Sequence, residues 1–177
     1  MLVAISVFAW LAWTSREEPG VGRVAGTRPL STAASPIPDE QYELLAAFEA
    51  PAYVAEPGAP KSFQAAMARY GKQDYAGAAS ELRAVANTKP DLLAARFYLG
   101  ISLLLAGDRI SGIQELRGLA ETGDSPYLER ARFYLAKGLI AEHDLHRAQQ
   151  QLESVITLHA DLEKQATALL AQIRPAG

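Results

Sequence analysis

No cysteine occurs among the 177 residues, which excludes disulfides, a thiol nucleophile and cysteine-ligated zinc or iron together. An excess of one charge sign is missing too. The formal net charge is −3, and from residue 60 onward Lys and Arg nearly balance Asp and Glu. That leaves no electrostatic footprint for a phosphate backbone, so nucleic acid is not an expected partner. There is no phosphate-cradling glycine loop and no Gly-x-Ser-x-Gly elbow. Of the three histidines, His143 and His146 flank Asp144 in a pattern that could hold a metal by residue type, but they fall in an inter-helix turn where Asp144 has a capping role. His159 has no partner histidine near it, and Glu17-Glu18 lies in a Pro/Gly-rich stretch that fixes no geometry for acid–base work. No enzyme, cofactor, metal or small-molecule substrate is expected.

What the chain does contain is a repeat. Ala95-Arg96-Phe97-Tyr98-Leu99-Gly100 returns as Ala131-Arg132-Phe133-Tyr134-Leu135-Ala136. Backwards, Phe97 maps to Phe63, Asp108 to Asp74 and Glu115-Leu116-Arg117 to Glu81-Leu82-Arg83; forwards, Asp108 maps to Asp144 and Leu116 to Leu152. Three units follow, each with small residues where two helices approach: Ala66 with Ala78, Gly100 with Gly112, Ala136 with Ala148. With its period of about 34 residues, the pattern resembles the tetratricopeptide repeat (TPR) family. The aromatic of the first helix is shifted by one place relative to that family, to Phe63, Phe97 and Phe133, and the second junction, Gly123-Asp124-Ser125-Pro126, is two residues longer.

The resemblance implies an all-α, right-handed superhelical solenoid of about three TPR helix pairs and a C-terminal capping helix. The expected organisation is an apolar segment over residues 1–13, a flexible tether over 14–38, a short helix and linker over 39–59, repeats at 60–90, 91–124 and 125–160, and a cap and tail over 161–177. Asp74, Asp108 and Asp144 each end an inter-helix turn, where a carboxylate accepts hydrogen bonds from the next helix's free N–H groups. Ser125-Pro126 is expected to start the third unit and Asp161 to cap the last helix. The first helix of unit two, Leu92 to Leu105, has almost no polar face, as suits the centre of a stack.

Residues 1–13 are uncharged and apolar apart from Ser6. As a helix they reach about 20 Å against a hydrocarbon core of about 30 Å. Trp10 and Trp13 followed by Arg16 resemble the interfacial end of a membrane helix, giving an expected single-pass membrane association. Arg16, Arg23 and Arg28 after the segment favour a cytoplasmic array; a resemblance to bacterial membrane-anchored anti-sigma-type TPR proteins favours the outer side. The alternatives are the distal part of such a regulator or an exported periplasmic TPR protein serving envelope assembly.

Helix 40–49, introduced by Asp39, has two readings. It covers the open side of the first unit, or Tyr42 to Tyr53 lies in the groove as an internal pseudo-ligand. The family binds protein or peptide segments on the concave side lined by the first helices. The matching positions here are Phe63, Met67 and Tyr70 in unit one, Phe97, Ile101, Leu104 and Leu105 in unit two, and Phe133, Lys137 and Ile140 in unit three. Several of these could equally pack against the neighbouring unit. Phe63 and Met67 stand where some TPR proteins clamp a terminal carboxylate, so no such clamp is expected. The function implied is that of a scaffold holding a protein or peptide in a largely apolar groove.

Overall fold

Three aspartates set the frame of the molecule. Asp74 accepts a hydrogen bond from the Gly77 amide at 3.0 Å, Asp108 from Ser111 at 3.3 Å and Asp144 from Arg147 at 3.0 Å. Each thereby satisfies one orphan N–H of the helix it opens. The residue before each aspartate takes a left-handed conformation: Gln73 at φ 62°, Gly107 at φ 88° and His143 at φ 59°. One tight turn is thus repeated three times, though glycine supplies the left-handed residue only once.

The computed structural model describes residues 37–53 and 58–174. They form α1 (Asp39–Ala46), α2 (Lys61–Gly71), α3 (Tyr75–Thr88), α4 (Leu93–Leu105), α5 (Arg109–Glu121), α6 (Leu128–Ala141), α7 (Leu145–Thr157) and α8 (Glu163–Ile173), with no strand among them. From α2 to α8 each helix packs on its sequence neighbour, and α1 packs on α6. The chain is therefore an all-α solenoid of TPR-like helix pairs, α2–α3, α4–α5 and α6–α7, closed by α8.

The core follows the repeat. Leu82, Leu116 and Leu152 are fully buried, as are Ala66, Ala78, Ala136 and Ala148. At the central pair even alanine is too large: a Cβ on Gly100 would lie 2.7 Å from Leu116 Cγ, and one on Gly112 would lie 2.7 Å from Leu104 Cδ2. Glycine here lets α4 and α5 touch nearly backbone to backbone. Helix α4 is buried from Ala94 to Leu103 except at Arg96, lying among α3, α5 and α6.

Several ends differ from expectation. Helix α8 begins at Glu163 without a side-chain cap from its own turn. The amide of the residue just before it, Leu162 N, donates to Glu129 Oε1 of α6 at 2.7 Å, so the start of α8 is tied down by the neighbouring pair and not by Asp161. Helix α6 begins at Leu128, after Tyr127. Ser125 supplies a carbonyl to Leu128 N, while its own hydroxyl is buried without a partner among the described residues. Helix α1 stops at Ala46, short of the expected Glu49.

The expected single-pass membrane location does not stand. Among the described residues no helix is long and apolar enough to cross a membrane; the longest, α3 and α6, have 14 residues. Residues 1–13, on which that expectation rested, lie outside the described residues, as does the tether up to residue 36.

Candidate functional site: a groove occupied by its own chain

The first helices α2, α4 and α6 line one side of the array, and Ile37–Tyr53 runs across all three. Helix α1 lies on α6. It does not cover the open side of the first unit; its buried residues, Tyr42, Leu45 and Ala46, meet the third. The Tyr42 ring stacks on His143 with centroids 4.0 Å apart. After Ala47 turns out of the helix with ψ 139°, the chain continues without regular structure to Tyr53. Phe48 meets Tyr134 of α6 at 5.0 Å, and the Tyr53 ring stands edge-on to Tyr98 of α4 and Phe63 of α2, each at 5.6 Å. This stretch is called the strap below.

The polar contacts to the strap go mostly to its main chain. Lys137 Nζ donates to the Leu45 and Ala47 carbonyls at 2.6 and 3.0 Å. The Tyr70 hydroxyl donates to the Pro51 carbonyl and the Tyr98 hydroxyl to the Ala52 carbonyl, each at 3.0 Å. Carbonyls are common to every peptide, so these donors fix a backbone without reading its sequence. One side-chain pair adds to them: Arg109 Nη2 reaches Glu43 at 2.8 Å. That guanidinium also lies 4.0 Å from Glu142, so it joins α1 to the end of α6.

Burial sets the electrostatics. It pushes the Tyr70 phenol far above its usual range, with Tyr98, Tyr75 and Tyr134 adding to the effect. It also raises Tyr134, opposed by Arg130. Burial lowers Lys137, an ammonium with no carboxylate at ion-pair distance among the described residues. At the rims, Asp74 is held low by hydrogen bonds from Arg69 and Gly77. In Asp144 burial acts upward, and the hydrogen bonds and charge of Arg147 outweigh it.

The expected groove residues divide into two sets. Phe63, Tyr70 and Lys137 touch the strap directly, and Leu104 and Leu105 line an open cavity of about 240 Å³ beside Ala46, Ala47 and Phe48. Met67, Phe97, Ile101, Phe133 and Ile140 are buried within the array. Phe97 turns toward Tyr127 at 5.1 Å, and Phe133 lies beneath Lys137, whose Nζ is 6.0 Å from its ring centre. Tyr98, Tyr134, Arg109 and His143 were not expected at the site. Tyr98 and Tyr134 are the fourth letters of the repeated Ala-Arg-Phe-Tyr-Leu, so the signal lay one residue beyond the phenylalanines. Around His143 no group of three or more potential metal ligands gathers among the described residues.

The fold is that of TPR-like helical-repeat proteins. No protein-family model matches the chain, and no curated protein matches it. Among solved structures, the type III secretion translocator chaperone SycD of Yersinia enterocolitica is similar, with a TM-score of 0.60 and 17% identity over 68% of this chain and 86% of that one. SycD in complex with a peptide of the translocator YopD matches with a TM-score of 0.60 and 17% identity over 69% of this chain and 96% of that one. A chain of the CopN–Scc3 complex matches with a TM-score of 0.56 and 17% identity over 77% and 86%. None of the three is described as an enzyme. At that identity the likeness establishes the fold; the anti-sigma-type resemblance finds no counterpart among them.

Proposed function

We propose that this protein is a non-enzymatic peptide-binding scaffold or chaperone that holds an extended segment of a partner protein across α2, α4 and α6. One observation carries the reading. The groove already holds a stretch of polypeptide, the end of α1 and the irregular chain that follows it, gripped by Tyr70, Tyr98 and Lys137 through its carbonyls and by aromatic contacts through its side chains. Backbone hydrogen bonds for affinity with side-chain pockets for specificity are the general physics of peptide recognition. The fold shared with a chaperone solved in complex with a translocator peptide supports the same conclusion.

The test is a random-peptide display library selected on the full chain and on a Phe48→Ala/Tyr53→Ala variant, whose strap has lost two of its three aromatic anchors and keeps Tyr42 on His143. Enriched peptides should lose binding when Tyr134→Ala is added, with circular dichroism unchanged. Absence of enrichment on both proteins, or binding indifferent to Tyr134→Ala, overturns the reading.

A further inference from the structure

We propose that the strap Ile37–Tyr53 is a displaceable internal ligand, and that the partner segment it stands in for is extended, carries aromatic side chains at two positions five residues apart, and has a larger aliphatic residue where the strap has Ala47. This rests on the peptide-binding reading above and specifies its ligand. The aromatic spacing is that of Phe48 and Tyr53, whose rings meet Tyr134 on α6 and Phe63 with Tyr98 on α2 and α4. Between them Ala50, Pro51 and Ala52 bring the main chain past the tyrosine hydroxyls. Proline suits this path, since it stiffens an extended segment that needs no amide donor at that point.

Two defects in the fit mark the strap as a ligand that a better one replaces. The cavity of about 240 Å³ between the strap and the array opens where the strap offers the small Ala46 and Ala47, between Glu43 and Phe48, against Leu104, Leu105, Gly138 and Ala141, with Arg109 and Lys137 also lining it. Ala46 is buried while Ala47 is exposed, so a longer side chain at 47 has room to enter. At the other end, the Tyr53 hydroxyl is buried without a hydrogen-bond partner among the described residues. A phenylalanine there keeps both ring contacts and loses the unsatisfied group. Tethering sustains this imperfect ligand: an attached segment acts at an effective concentration in the millimolar range, so weak intrinsic affinity suffices until a tighter segment arrives from another molecule.

The experiment uses a fluorescent synthetic peptide of residues 37–53, the same peptide carrying Ala47→Leu and Tyr53→Phe, and a scrambled control, with anisotropy read on the full chain and on its Phe48→Ala/Tyr53→Ala variant. The variant should bind the native-sequence peptide at least tenfold more tightly than the unaltered chain does, because its own competitor is weakened. The altered peptide should bind at least tenfold more tightly than the native-sequence one, and the scrambled one should not bind. Equal binding to both proteins overturns the proposal, as does an altered peptide no tighter than the original. If the native-sequence peptide binds neither protein while library peptides still bind the groove, the internal-ligand inference falls alone; if those fail as well, the peptide-binding reading falls with it.

Should the double variant not fold, hydrogen exchange on the unaltered chain decides. An eight-residue helix does not persist alone in water, so excess altered peptide should accelerate exchange across α1, residues 39–46, and leave α4 protected. Unchanged α1 exchange under peptide excess overturns displacement.

Discussion

Replacing Lys137 with Met keeps an unbranched apolar stem of nearly the same length and removes its donors. Two hydrogen bonds are lost, to Leu45 O at 2.6 Å and Ala47 O at 3.0 Å. Both acceptors lie at the C-terminal end of α1, where carbonyls lack intrahelical partners and a cation suits the helix dipole. Charged-donor hydrogen bonds contribute about 1.5–3 kcal/mol each. Against that stands the cost of keeping the ammonium partly out of water, visible as its lowered pKa. A net loss of about 2 kcal/mol follows, or about thirtyfold in the docking equilibrium of the strap. Hydrogen exchange resolved by residue is the assay: α1 amides should exchange about thirtyfold faster in Lys137→Met, with α4 and α5 amides changing far less. The pH dependence has a definite sign. A cation whose pKa is lowered by burial in the folded protein holds fewer protons there than in the unfolded chain, so stability rises with pH through the lowered pKa and levels off above the ordinary 10.5. Lys137→Met lacks that rise. Unaltered α1 exchange in the variant, or the same rise without the lysine, would refute the assignment of these two bonds as the anchor of α1.

Three further outcomes are expected. Tyr70 has its pKa raised by burial, so the unfolded state ionises first and stability falls by about 1 kcal/mol per pH unit above about 10; Tyr70→Phe should make the denaturation midpoint less alkali-sensitive while loosening the strap at Pro51. Leu116→Ala, at a fully buried site, should cost about 2–5 kcal/mol in urea unfolding. Because Gly100 faces that leucine, adding Gly100→Ala should recover part of the loss, whereas Gly100→Ala alone should destabilise. Glu129→Ala, which strips Leu162 N of its partner, should cost about 1 kcal/mol and speed exchange selectively at the start of α8.

The helix pairs were legible because their determinants recur at a fixed spacing: capping aspartates, small residues at the close approach, and a leucine behind each. The tie at the start of α8 was not, since Glu129 reaches it from 33 residues away and local sequence offered Asp161. The groove was half legible. Pattern matching placed Phe97 and Phe133 on its surface, but one residue along a helix is about 100° of rotation, and Tyr98 and Tyr134 face the strap. The strap's position was open between two readings because α1 carries only a few apolar residues. What decided it was complementarity across the fold, Tyr42 with His143 and Glu43 with Arg109, which one-dimensional periodicity does not contain.

The strap precedes the array in the chain, and that order has a consequence for synthesis. Helices α2 to α8 each pack on the neighbour just made, so they can assemble in sequence as the chain emerges. The strap's contacts lengthen toward its start: 19 residues from Pro51 to Tyr70 and 46 from Ala52 to Tyr98, then 66 from Glu43 to Arg109 and 92 from Leu45 to Lys137, and closing the longer loops comes after local packing. The segment that covers the groove is therefore translated before it, and its α1 end docks last. On a growing chain there is an interval, ending only when α6 has emerged, in which α1 has no helix to lie on and the strap is held by its Tyr53 end alone. A partner segment made nearby in that interval meets a weakened competitor, so the timing of encounter, as much as affinity, selects what the groove holds.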